Sequence, residues 1–62
     1  MQTIEQLQKY VQEKIKLHPE LKSEIISVFQ LCLDEIEEGG SRQHEIDLCI
    51  TDIEQTINES LE

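Results

Sequence analysis

Glu37-Glu38-Gly39-Gly40-Ser41-Arg42 decides how the chain folds. One glycine can take the left-handed backbone that closes a helix, a second adds freedom for reversal, and a serine just after them is placed to cap a following helix. The stretch predicts a tight turn between two helices. Downstream, Ile46, Ile50, Ile53 and Ile57 recur at spacings of four, three and four, and Leu61 continues the row. That row is a heptad-like seam, too short to demand a long coiled coil. Upstream, Leu21, Ile25, Ile26, Val28, Phe29, Leu31, Cys32, Leu33 and Ile36 crowd one helix. At helical periodicity they span about 220° of its circumference, against about 100° for an ordinary surface helix. This helix must have neighbours on more than one side.

If the two helices fold back about the glycines, Ile36 meets Ile46, Cys32 meets Cys49 or Ile50, Phe29 meets Ile53, and Ile25 meets Ile57. Apolar positions agree along the whole hairpin. This agreement favours an antiparallel pair over one continuous helix.

A second break, Leu17-His18-Pro19-Glu20, separates the hairpin from the N-terminal residues. Proline lacks the amide that a helix interior needs, but its fixed φ suits a first helical position, which makes His18 the expected N-cap region. Before it, Ile4, Leu7, Val11 and Ile15 form one narrow stripe, and Thr3 with Gln6 has the spacing of a capping box. The reading is all-α: a single domain over residues 1–62, a small antiparallel three-helix bundle with helices at about 4–16, 19–38 and 42–60. The second and third form the tight hairpin, and the first packs into its groove as the element most prone to fray or swap. No internal repeat, low-complexity tract or linker interrupts this pattern.

Sixty-two residues bury only about 60% of the surface that the unfolded chain exposes, so self-association into a homo-oligomer is expected to complete the core. No run approaches the ~20 apolar residues of a membrane span, and Met1-Gln2-Thr3-Ile4-Glu5 lacks the basic start and apolar stretch of a signal peptide. A cytoplasmic location with reduced thiols is therefore expected.

The formal net charge of −9 is unevenly placed: residues 1–18 carry +1 and residues 19–62 carry −10. Such a field disfavours direct binding to nucleic acid or to anionic membrane and attracts a basic protein surface. Asp34, Glu35, Glu37 and Glu38 crowd the end of the second helix, where the helix dipole makes acids unfavourable. They read either as a solvated acidic end or as a docking patch, with Glu45 and Asp47 extending it across the turn. Leu48 falls nearly opposite the isoleucine seam and Leu31 at a far margin. With Tyr10 and Leu17 they are candidates for an oligomer face or partner groove.

Glu38, His44 and Glu45 bring possible ligands near one turn, but the paired Glu-x-x-His pattern and the EF-hand spacing are both absent, so no metal or cofactor is expected. Cys32 and Cys49 are expected to lie close together as a reduced pair, with Cys32 central in its stripe and Cys49 at the edge of its own. No phosphate loop or nucleophile–base–acid set points to an enzyme. These readings lead to a small acidic interaction or regulatory module that binds a basic protein surface. The alternatives are a nucleic-acid-mimicking inhibitor and a purely structural homo-oligomer.

Overall fold

In the computed structural model, residues 3–61 are described. They form α1 (Ile4–Leu17), a single 3₁₀ turn (Pro19–Leu21), α2 (Lys22–Glu37) and α3 (Arg42–Leu61). Each boundary has a local cause. The Thr3 hydroxyl accepts a hydrogen bond from the Gln6 amide at 3.1 Å and so caps α1. At the other end the His18 amide donates to the Lys14 carbonyl at 2.9 Å. Proline next in the chain disfavours helical backbone at His18, which sits at φ −133° and ψ 67°.

The second helix starts later than its proline suggests. Leu21 donates its amide to the His18 carbonyl at 2.9 Å, closing a tighter turn before α2 begins at Lys22. His18 contributes that carbonyl and no side-chain cap.

The turn between α2 and α3 is a Schellman closure. Gly40 donates to the Glu35 carbonyl at 2.9 Å and Gly39 to the Ile36 carbonyl at 3.1 Å, the paired bonds that satisfy orphan carbonyls at a helix end. Gly39 sits at φ 107°, where a side chain strains the backbone. Gly40 has a different constraint, because a Cβ there would lie 2.8 Å from the Glu35 carbonyl oxygen. Ser41 accepts the Glu45 amide at 2.9 Å through its own carbonyl and so opens α3. Gly39→Ala should lose about 1–2 kcal/mol from strain alone. Gly40→Ala should lose about 1–3 kcal/mol, since the carbonyl it displaces is the one its amide bonds. Urea midpoints measure both; a Gly40→Ala midpoint equal to wild type would show that the turn relaxes freely.

α2 and α3 make the most extensive pairing, and α1 lies along α2. The core is Leu7 and Val11 from α1, Leu21, Ile25 and Cys32 from the middle segment, and Ile46, Cys49, Ile53 and Ile57 from α3. Ile4 and Ile15 flank it half-buried, so the narrow stripe of the first helix is the face that packs. α2 has α1 and α3 on two of its sides, as its wide apolar arc requires.

Three positions depart from the sequence reading. Leu61 is 72% exposed, and the seam ends at Ile57. In an antiparallel register Leu61 falls at the level of the 3₁₀ turn, where the chain leaves the line of α2. Cys49 is more deeply buried than Ile50, so it belongs to the centre of the α3 face and not to its edge. Tyr10 is not part of a free surface: it packs half-buried against the core and its hydroxyl donates to the Glu54 carboxylate at 3.4 Å. That bond ties α1 to α3, and the Lys14 ammonium lies 5.3 Å from the centre of the Tyr10 ring.

Candidate functional site

α1 covers one flank of the hairpin, the flank of Glu54, which the Tyr10 hydroxyl reaches. The opposite flank is open, and a groove of about 310 Å³ runs along it between α2 and α3. α2 contributes Val28, Leu31, Cys32 and Glu35; α3 contributes Glu45, Leu48, Cys49 and Asp52. Both sets have the spacing i, i+3, i+4, i+7, which places four side chains on one helical face over two turns. Because the helices are antiparallel, the sets run in opposite directions. Glu35 opposes Glu45 at the glycine end, the two Leu-Cys pairs oppose each other in the middle, and Asp52 marks the far end.

A short repeat underlies this near-symmetry. Leu31-Cys32-Leu33-Asp34-Glu35-Ile36 and Leu48-Cys49-Ile50-Thr51-Asp52-Ile53 share leucine, cysteine, an aliphatic residue, a variable position, an acid and isoleucine. The expectation of no internal repeat is corrected at this scale. Its signal is visible in the sequence, but six residues become a feature only when the hairpin sets the two copies face to face.

Cysteines form the floor of the groove. Both are free thiols and both are buried. Cys32 donates its S–H to the Glu45 carbonyl oxygen at 3.3 Å, using the acceptor capacity that a helical carbonyl retains. The Cys49 thiol is near enough to Cys32 for each to shift the titration of the other. Burial pushes the Cys49 thiol up to about 12, with the neighbouring Cys32 adding to the rise. Cys32 is also raised, first by burial and further by the Glu45 carboxylate, against a lowering contribution from the Cys49 hydrogen bond. A thiol held protonated is a poor nucleophile. The two buried thiols, one of them bonded to a helical carbonyl, are therefore a packing element of a small layer.

Leucines form the walls. Leu31 is 60% exposed and Leu48 is 44% exposed, and both face a concave surface and not open solvent alone. Leu17 is exposed at the end of α1 and does not line the groove. Carboxylates form the rim: Glu35, Glu45 and Asp52, with no lysine or arginine among the lining residues.

The acidic patch read from the sequence is thus divided. Glu35, Glu45 and Leu48 come together on the groove. Asp34, Glu37 and Asp47 are exposed on other faces of the same helices, and Glu38 is exposed at the C-cap of α2, beyond the groove lining. Asp47 accepts a hydrogen bond from the Gln43 side-chain amide at 3.0 Å along α3. Adjacent acids in sequence diverge by about 100° per residue on a helix, so a run of charge cannot make one patch. Asp52 was not among the candidates, although its i+7 spacing from Glu45 on the face of Leu48 and Cys49 is the signal that identifies it.

Among the described residues, no group of three or more His, Cys, Asp or Glu side chains is arranged to hold a metal ion. No helix among them is long and apolar enough to cross a membrane.

Leu48→Glu tests the assignment of this wall. The residue is exposed, so helicity and the urea midpoint should stay within about 0.5 kcal/mol of wild type. Loss of helicity would show instead that Leu48 supports the core. Comparison of the chain with protein-family models, curated proteins and solved structures finds no match.

Proposed function

We propose that this chain is a small protein-interaction module that engages a basic protein surface through the α2–α3 face. The observation that supports it most directly is the composition of the open groove: leucine walls, a carboxylate rim and no cation lining it. An apolar concavity rimmed by polar groups is the usual anatomy of a binding surface. A rim of one charge sign steers an oppositely charged partner toward it and accelerates encounter. The charge of −10 over residues 19–62 extends the same field beyond the rim.

Charge reversal at the rim is the test. A basic protein bound by the wild-type chain should be released by Glu35→Lys with Glu45→Lys, and its binding should weaken as salt rises, because screening shortens the reach of these charges. Both residues are on the helix surface, so the variant should keep its helicity. Binding that is indifferent to salt and to both substitutions would remove the acidic face from the interaction.

A further inference from the structure

We propose that the groove opposite α1 receives one amphipathic helix of a partner, with two neighbouring apolar side chains seated between Leu31 and Leu48 and a lysine or arginine about two turns apart at each end. This deepens the reading of the chain as a basic-surface binder and rests on it.

The form of the occupant follows from the backbone. Every groove-lining residue lies on α2 or α3, and within a helix the main-chain groups are bonded to one another. The groove therefore offers an incoming chain almost no backbone donors or acceptors. An extended segment seated there would leave its own amides and carbonyls unpaired against leucine, whereas a helix brings its backbone bonds with it. Two parallel walls of helical side chains also accept a further helix by ridge-in-groove packing.

Its length and polarity follow from the two lining sets. Val28 to Glu35 and Glu45 to Asp52 each cover seven residues of rise, about 10.5 Å. Leucine and cysteine occupy the middle of each set, and carboxylates stand at the ends: Glu35 with Glu45 at the glycine turn, Asp52 at the other. The complement is a helix face of the form basic-x-x-apolar-apolar-x-x-basic, the same i, i+3, i+4, i+7 spacing with opposite charge. Such a helix takes the fourth position of a bundle whose third position α1 already fills.

A second copy of this chain fits less well. Groove against groove brings two rims of carboxylates together without a cation. The chain's own concentration of lysine is on the outer face of α1, where Lys9, Gln12, Glu13 and Lys16 surround a shallow depression, with polar glutamine and glutamate at the two positions between the lysines where the leucine walls call for apolar side chains. Anionic lipid and nucleic acid are repelled by the same rim.

The test uses the full chain, labelled with nitrogen-15, and a synthetic helical peptide of alanine, leucine and lysine with the pattern Lys-x-x-Leu-Leu-x-x-Lys. A peptide in which glutamate replaces each lysine is the control. Amide shifts should move for residues around Leu31, Cys32, Leu48 and Cys49 and not along the outer face of α1. Leu31→Asp with Leu48→Asp should weaken binding at least about tenfold, and the glutamate peptide should not bind. Perturbation centred on α1, or unchanged affinity in the leucine double variant, would overturn the groove as the docking site. If Glu35→Lys with Glu45→Lys still abolished binding in that case, the acidic-face reading would stand without the groove. Self-association through the groove, seen as the same shifts appearing with protein concentration alone, would overturn the choice of occupant. Failure of the lysine peptide to bind at all would overturn both readings. The shift map is taken on the wild-type chain and so remains decisive even if the double variant does not fold.

Discussion

Ile53→Ala should leave the protein largely unfolded at 25 °C. Ile53 is fully buried, and Ile25 and Ile46 of the same core are equally inaccessible. Truncating such a side chain to alanine typically costs about 2–5 kcal/mol, the lost transfer energy plus the cavity left behind. A single core in a chain of this size seldom supplies more than about 3–5 kcal/mol in total. The two ranges overlap, so the substitution removes most or all of the margin. Far-UV circular dichroism should show lost helicity, and urea should no longer produce a sigmoidal transition. Ile53→Val, with one methylene fewer and an expected loss of about 0.5–1.5 kcal/mol, should stay folded with a lower midpoint. A cooperative Ile53→Ala transition at the wild-type midpoint would show that the core collapses around the missing atoms or that association supplies stability from outside the chain.

Raising the pH from 9 toward 12 should unfold the bundle before its buried groups can titrate in place. The Cys49 thiol has an ordinary value of 9.0 and is held up to about 12 in the folded protein by burial and by its neighbour Cys32. Tyr10 rises from 10.0 to about 12, by burial first and then by the charge and hydrogen bond of Glu54. Between the two values the unfolded chain releases protons that the folded chain retains. Stability from these groups is therefore complete below pH 9 and falls as pH rises through the folded value. Cys32, raised in the same direction, adds to the loss. Ultraviolet absorbance of thiolate and tyrosinate, recorded with helicity across the titration, should change in one step that coincides with unfolding. Replacing both cysteines by valine, which keeps the core filled and removes the titrating thiols, should move that step to higher pH. Thiolate appearing near pH 9 with helicity intact would contradict the burial argument.

Local chemistry made much of this protein legible from its residues. Thr3, Pro19 and the glycine pair act on the backbone within a few positions of themselves, so the helix limits could be read to within a few residues, as could the hairpin turn. Spacings of three and four act within one helix, which is why the stripe of Leu7 and Val11 and the seam of Ile46, Ile53 and Ile57 are the faces that pack. The α2–α3 hairpin followed from matching apolar positions about the turn.

The groove was not legible in that way. The second helix carries apolar residues over far more than one face, and periodicity alone could not say which flank α1 would cover. Packing of α1 on the side of Glu54 left the flank of Leu31 and Leu48 open and drew Tyr10 into a bond with Glu54. Backbone propensity and periodicity are properties of neighbours along the chain, so the sequence determines the elements and their buried stripes. Which surfaces remain uncovered depends on contacts between residues far apart in the chain, and only the tertiary arrangement of the three helices settled that choice.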